Sequence, residues 1–176
     1  AVAKNTNETE LADTVGFKPS IDPDDHFNTV IYTGNETSQS ITGTGFQPDL
    51  IWVKNRDTTN NHLIFDSIRG NNFLIPNDTF TEDTSSSNTM SSFDSDGFSI
   101  SGGGGSLNNS SDDYVAWCFK AGGAAVSNTD GTITSQVSAN NDLGFSIVKY
   151  SGGNSSGTTV GHGLSTTPAV VIVKDR

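Results

Sequence analysis

The chain has 176 residues, and its 9 Lys and Arg against 20 Asp and Glu give a formal net charge of −11. Such a polyanion repels the nucleic-acid backbone and anionic lipid surfaces, so we expect neither as a partner. No apolar run approaches the roughly 18 residues of a membrane-spanning helix, and a single Cys118 excludes an internal disulfide framework. Only 32% of the residues are hydrophobic, which suits short strands around a thin two-layer core.

Residues 1–26 have the pattern of an arm or linker, because prolines at 19 and 23 interrupt any helix. From Phe27 onward, short apolar runs bounded by turn residues predict strands. The segments 30–32 and 39–41 are predicted to form a hairpin, and Asp96-Gly97 predicts a second one. Residues 76–92 and the glycines at 102–105 are predicted loops. The further predicted strands are 49–54, 62–66, 72–75, 114–120, 132–134 and 145–150.

The segment 114–120 alternates so that Val115, Trp117 and Phe119 share one face. This spacing predicts that the three side chains belong to the core. The segment 49–54, which contains Trp52, is apolar on both faces, as an interior strand would be. Both tryptophans are therefore interpreted as core residues rather than as sugar-stacking platforms.

The stretch from Phe27 to Arg56 is repeated, with a short insertion, from Phe145 to Arg176. The second copy stops after its third strand, so we expect the chain to be part of a longer multi-repeat protein. Its apolar residues 147–148 and 170–173 would then expose an apolar face and pair with further chain or with other subunits. The matched pairs are Phe27 and Phe145, Tyr32 and Tyr150, Gly34 and Gly152, Pro48 and Pro168, Lys54 and Lys174, and Arg56 and Arg176.

These features predict an all-β protein, an antiparallel β-sandwich of the jelly-roll or lectin-like kind. It would comprise one full repeat plus the start of a second. The predicted divisions are an arm at 1–26, a sandwich repeat at 27–144, and the first strands of a truncated second repeat at 145–176.

Several ordered strings resemble a tandem β-sandwich repeat found in virion proteins, tail-fibre-like or structural, of tailed phages of marine bacteria. They are YTGNETSQSITGTGFQPDLIWVKNR, LIFDSIRG, SSFDSDGFSI, YVAWCFKAGG and SNTDGTITSQVSANNDLGFSIV. The resemblance runs from about Asp24 to Arg176. The resemblance implies a non-enzymatic role at the particle surface, and it transfers no binding residues.

Candidate catalytic and metal motifs each lack a required part. Residues 153–157 match G-x-S-x-G, but no helix can begin at 158–163, so the motif is interpreted as a turn. The stretch 94–97 resembles a calcium loop, yet Phe98 and Gly105 occupy positions where oxygen ligands are needed. Acidic clusters at 22–25 and 112–113 leave calcium binding open as an alternative to solvated turns.

The remaining chemical groups are isolated in the sequence. His26, His62 and His162 are far apart, and Cys118 has no ligand at metal spacing. Glu82 and Asp83 are adjacent in a polar loop, whereas glycosidases separate two acids across a groove. We therefore expect no enzyme activity, no cofactor, and no catalytic or metal residues, and the sequence does not locate a ligand-binding surface.

The expected function is a structural and adhesive module of a phage particle, in a fibre or at the shell surface. Its expected partners are copies of itself, other virion proteins and host cell-surface glycans, and its expected location is the virion surface after assembly in the host cytoplasm. Two alternatives stay open. One is a carbohydrate-binding, lectin-like domain of a secreted bacterial protein, and the other is an appendage enzyme that degrades polysaccharide.

Overall fold

The computed structural model describes residues 21–84, 90–153 and 155–176. Within these ranges the chain forms eleven strands and one short 3₁₀ helix, Pro23–Asp25, so the all-β prediction is confirmed. The strands are β1 Phe27–Thr33, β2 Gln39–Thr42, β3 Leu50–Asn55, β4 Leu63–Asp66, β5 Phe73–Leu74, β6 Met90–Asp94, β7 Gly97–Ile100, β8 Asp113–Phe119, β9 Val126–Asn128, β10 Ser135–Asn140 and β11 Phe145–Tyr150.

The first eight strands form an antiparallel sandwich. The larger sheet has the order β1-β8-β3-β4-β5, and the smaller sheet has the order β2-β7-β6. Strand β8 lies between β1 and β3, and both neighbours run antiparallel to it. The remaining strands form a third sheet, β11-β10-β9. Its attachment to the sandwich includes Asp49, whose carboxylate accepts hydrogen bonds from the backbone N–H groups of Ala121 and Gly123.

One continuous core fills the sandwich, because both sheets direct an apolar row inward. Tyr114 is fully buried, stacks on Tyr32 at a centroid distance of 4.9 Å, and accepts a hydrogen bond on its hydroxyl from the Asn109 N–H. The buried apolar members are Val30, Ile41, Phe46, Ile51, Val53, Leu63, Phe65, Phe73, Ile75, Met90, Phe98, Ile100, Leu107, Tyr114, Ala116 and Cys118.

The predicted hairpin between residues 30–32 and 39–41 is wrong. Strand β1 belongs to the larger sheet, whereas β2 crosses to the smaller sheet and pairs with β7. The connecting loop bonds to the loop before β8 instead of closing on itself, as in the Gly34 N–H to Asp112 O bond of 2.8 Å. Gly34 is required there because a Cβ would lie 2.1 Å from the carbonyl oxygen of Asn109.

The predicted core face of β8 is also wrong. Val115, Trp117 and Phe119 are half-buried on the outer face, while Tyr114, Ala116 and Cys118 point inward. Both registers of this strand are apolar, so alternation alone does not decide which one faces the core. Tyr114 has the largest fully buried side chain among the described residues, and it shares the core with Phe98 and Met90 of the smaller sheet.

Of the other predictions for strands and loops, some are confirmed and others are wrong. The hairpin predicted at Asp96-Gly97 is confirmed, but its two-residue loop is Ser95-Asp96, since Asp94 pairs with Gly97, which begins β7. Residues 102–105 lie in a loop. The predicted strand at 132–134 is wrong, because only Ile133 makes an isolated bridge there. Strands β9 and β10 were not predicted, and β6 begins inside the predicted loop 76–92, of which 85–89 lie outside the described residues.

The segment 168–176 forms no strand. Val170, Val171, Ile172 and Val173 are 69–76% exposed, which confirms the expected exposed apolar stretch, whereas Ile147 is buried in the third sheet. The repeat and the domain limits at 26 and 144 stay predictions. Most of the arm, 1–20, lies outside the described residues. Within the described ranges, no helix has the length and apolar character to cross a membrane.

Candidate functional site

The outer surface of the larger sheet carries a patch of large apolar side chains, which we call the aromatic face. A single row crosses it from strand to strand, because Thr29 pairs with Trp117, Trp117 with Trp52, and Trp52 with Ile64. Ile31, at the edge of the face, is 71% exposed. The members of the aromatic face are Phe27, Ile31, Trp52, Ile64, Val115, Trp117 and Phe119.

The two tryptophans form the centre of this face. Their ring centroids lie 6.2 Å apart at an interplanar angle of 80°, the edge-to-face geometry that aromatic pairs prefer. Trp52 Nε1 donates a hydrogen bond of 2.9 Å to His62 Nδ1, so the His62 ring is neutral and carries its proton on Nε2. The interpretation of Trp52 and Trp117 as core residues is therefore wrong, since both are half-buried and reach the surface.

We expect His62 to titrate below its usual range. Burial lowers the pKa of His62 from its ordinary value of 6.5, and Lys54 adds to the shift. Because the unfolded chain binds the proton first, the stability that His62 contributes is complete above about pH 6.5 and is lost as the pH falls towards the folded-state pKa. Nuclear magnetic resonance titration of the imidazole should give a midpoint below 6.5. In Trp52→Phe, which removes the donor to neutral His62, the midpoint should rise, and a wild-type midpoint above 6.5 would contradict the geometry.

One end of the aromatic face is covered by the third sheet. Phe145 stacks on Phe119 with ring centroids 5.3 Å apart. Asn140 Nδ2 lies 3.1 Å from His26 Nδ1 beside it. The outer surface of the sandwich thus already serves as a packing surface for one neighbouring sheet, and the half that carries Ile31 and the tryptophans stays open.

The smaller sheet presents a polar outer surface instead. Ser40 Oγ and Ser99 Oγ lie 2.7 Å apart, and Ser99 Oγ donates to Asp94 Oδ2 at 2.6 Å. Ser92 Oγ donates to the other oxygen of the same carboxylate. Ser40, Ser99, Ser92 and Asp94 thus form a hydrogen-bonded hydroxyl ladder on the surface of the smaller sheet.

A shallow groove of about 360 Å³ lies on the third sheet. Val126, Val137 and Ala139 supply its apolar floor, while Asn128 and Asn141 line it with amides. Val137 is buried under the loop that contains Gly163, but Val126 is 65% exposed. The apolar floor of the groove is therefore covered at Val137 and open to solvent at Val126.

Three of the acidic residues considered for calcium binding accept hydrogen bonds from donors of the protein. Asp96 accepts the N–H groups of Gly43 and Gly45, and Asp112 accepts from the Asn55 amide. Asp22 accepts the Asp24 N–H at the start of the 3₁₀ helix. In the described ranges, no three His, Cys, Asp or Glu side chains are grouped so that they could hold a metal ion.

The three histidines lie in separate contacts, since His26 is near Asn140, His62 binds Trp52, and His162 accepts the Leu164 N–H. Glu82 accepts from Asn72 and pairs with Arg176 at 3.0 Å. The G-x-S-x-G match lies in a turn at 155–157, and its Asn154 is outside the described residues.

Cys118 is expected to be inert to thiol reagents in the native protein. The side chain is fully buried in the core, and burial raises the pKa of the thiol to about 12. Since the thiolate is the reactive species, a chromogenic disulfide reagent should label Cys118 only after denaturation. Rapid labelling of the native chain at neutral pH would show that the core opens at this position.

The aromatic face was missed in the sequence because the apolar content of β8 and β3 was assigned to the core. Three features of the sequence could have indicated it: the second apolar register of β8, the apolar run 50–53, and Phe27 and Ile31, which lie on the same face of β1.

A family model described as domain of unknown function DUF7483 matches residues 22–176. No curated protein and no solved structure matches the chain.

Proposed function

Since the chain belongs to the DUF7483 family, whose description assigns no function, we propose a role from its own surfaces and motifs. The role is that of a non-enzymatic structural and adhesive module of a tailed-phage particle, present in a fibre or at the shell surface. The resemblance of the ordered motifs to virion repeats supports the location in a phage particle. The surfaces of the chain support a role in binding neighbouring molecules.

The observation that carries the proposal is the amount of large apolar surface outside the core. Ile31 is 71% exposed, and four consecutive aliphatic residues, 170–173, are 69–76% exposed. Monomeric soluble domains rarely leave contiguous apolar surface open, and such patches mark interaction sites. The negative charge of −11 favours solubility of the free chain, so association would depend on shape and apolar contact.

Location in a particle tests this proposal. Antibody raised against the purified chain and coupled to gold should label tailed particles from the same source at a fixed position under the electron microscope. The protein should also sediment with intact particles in a density gradient. Recovery of the antigen only in the soluble fraction would contradict the proposal.

Glycan contact is a second candidate role, favoured by the half-exposed edge-to-face pair of Trp52 and Trp117. Aromatic faces at a surface suit the apolar side of pyranose rings, while His62 and Lys54 beside them supply polar contacts. On a glycan array, Trp117→Ala should abolish any signal and the neighbouring Val115→Ala should keep it. Equal glycan binding by the two variants would show that the pair of Trp52 and Trp117 does not bind sugar.

A further inference from the structure

The groove on the third sheet is bordered by glycines that leave no room for a side chain. A Cβ at Gly163 would lie 2.7 Å from Val137 Cγ1, and the backbone of Gly163 has a φ of +72°. A Cβ at Gly122 would lie 2.3 Å from the Ala139 carbonyl oxygen. Bare backbone therefore reaches the apolar floor at two places. The volume of about 360 Å³ is at the small end of the range for ligand sites.

The loop 159–163, which lies beside the groove, is held against the third sheet. The Ile133 N–H donates to the first carbonyl of this loop at 3.0 Å, and Ser135 Oγ donates to the Gly161 carbonyl at 3.1 Å. Gly161 packs so closely that a Cβ would lie 1.8 Å from Asn128 Oδ1. The groove is therefore formed before a ligand arrives, and binding does not have to order a loop.

Polar side chains stand at both ends of the apolar floor. Asn128 is opposite Ser135, the first residue of β10, and Asn141 comes directly after the last residue of that strand. Asn128 Nδ2 donates to Asp130 Oδ2 at 2.9 Å, and Asn141 Nδ2 donates to the Gly163 carbonyl at 3.4 Å. These contacts use one of the two N–H groups of each amide and one of about four acceptor positions of the carboxylate. The remaining positions are available to a ligand.

The charge of the groove disfavours acidic ligands. Among the described residues that line it, Asp130 is the one acidic or basic side chain, and the formal net charge of the chain is −11. A carboxylate or sulfate would meet repulsion with no cation to offset it. A purely apolar ligand would cover Val126, which is 65% exposed, but would leave Asp130 and the two amides without partners. The lining therefore fits a neutral molecule with an apolar face and several hydroxyl groups.

We infer that the groove on the third sheet binds a neutral sugar ring. The C–H face of a pyranose lies on the apolar floor, and its hydroxyl groups donate to the Asp130 carboxylate and accept from the amides of Asn128 and Asn141. Hydroxyl groups suit this lining because each one both donates and accepts. The site shares no residue with the pair of Trp52 and Trp117. It deepens the adhesive part of the proposed function and rests on it.

The test is a titration of the purified chain with the methyl glycosides of glucose, galactose and mannose, followed by nuclear magnetic resonance. A small ligand in a shallow groove should bind with a Kd on the order of millimolar, which is too weak to survive the washing of a glycan array. The backbone amides of Val126, Ala139 and Asn141 should shift with at least one of the glycosides. The methyl glycoside of glucuronic acid, which adds a carboxylate to the glucose ring, should leave them unchanged.

Two tryptophan variants separate the groove from the rest of the surface. Ala124 is exposed and lines the groove, so Ala124→Trp should cover the floor and raise the Kd about tenfold or more. Ser127 is exposed and points to the opposite face of β9. Ser127→Trp therefore adds the same side chain outside the groove and should change the Kd by less than about twofold. Asp130→Ala, which removes the charged acceptor, should raise the Kd about tenfold.

Absence of shifts with all three neutral glycosides would overturn the inference. Equal affinities of Ala124→Trp and Ser127→Trp, or tighter binding of the glucuronide than of the glucoside, would also overturn it. Shifts confined to the surroundings of Trp117 would place the sugar on the aromatic face and not in the groove. Binding in the groove by a protein that is absent from tailed particles would support the inference and overturn only the proposed location.

Discussion

Phe98→Ala is expected to lower the free energy of unfolding by about 3–5 kcal/mol, the usual cost of truncating a large buried aromatic residue. Phe98 has no exposed surface, belongs to the smaller sheet, and packs edge-to-face on Tyr32 at 6.1 Å. Its removal leaves a cavity between the two sheets. Urea denaturation followed by circular dichroism gives the difference from the shift in midpoint at constant slope.

Two variants on the outer surface serve as controls for Phe98→Ala. Ile31→Ala should change stability by less than about 0.5 kcal/mol, because the side chain is largely exposed. Trp117→Ala should cost less than Phe98→Ala, since Trp117 is half-buried on the aromatic face. A greater loss from Trp117→Ala than from Phe98→Ala would mean that the sheet faces are assigned the wrong way round.

Asp66→Ala is expected to destabilise the sandwich by about 3–5 kcal/mol, because it leaves a buried charge without its partner. Arg69 Nε donates to Asp66 Oδ2 at 2.6 Å, and the two side chains are only 4% and 6% exposed. Asp66 also accepts the backbone N–H groups of Ile68 and Arg69, which fold the turn after β4. Among the described residues, Arg69 Nη1 has no hydrogen-bond partner, so the guanidinium relies on few acceptors.

The double variant Asp66→Ala, Arg69→Leu separates the charge from the turn. It should recover most of the loss, because an apolar side chain replaces the unpaired cation, and retain only the cost of the two backbone bonds. Thermal and urea unfolding of the single and double variants complete the cycle. Additive losses in the double variant would show that the ion pair carries no coupling energy.

Strands with dense apolar runs could be predicted from the sequence, and their partners could not. The segment 49–54 was identified because Leu50 to Val53 is continuous and apolar, and β3 occupies most of it. Strands β9 and β10 contain only Val126, Val137 and Ala139 among polar residues, so they gave no periodic signal. The β1–β2 hairpin failed because a short loop permits pairing without requiring it, and here the loop bonds to residues 108–112.

The face assignment of β8 failed for a different reason. Period-two alternation divides Tyr114, Ala116 and Cys118 from Val115, Trp117 and Phe119, but it does not indicate which set is inside. The structure places Tyr114, Ala116 and Cys118 in the same core as Phe98, Ile100 and Met90 of the facing sheet. The candidate site lay in the set assigned to the interior, so a residue-by-residue search for chemistry could not find it.

The outer surfaces of both sandwich sheets are used in different ways. The smaller sheet satisfies its hydroxyls within the ladder of Ser40, Ser99 and Asp94, which suits a surface left in water. The larger sheet leaves aromatic area partly open and already packs Phe119 against Phe145. This difference between the two sheets is expected of a module whose larger sheet is covered by neighbouring molecules and whose smaller sheet faces water.

The most direct test of the assembly role is hydrogen exchange on the purified chain and on the same protein in isolated tailed particles. Peptides that cover 145–150 and 168–176 report the edge strand β11 and the exposed segment. A peptide over β4, Leu63–Asp66, is the internal reference because this strand lies between β3 and β5. We predict strong protection of the first two regions in particles and equal exchange of the reference. Exchange of 168–176 that is as fast in the particle as in the free chain would contradict the account.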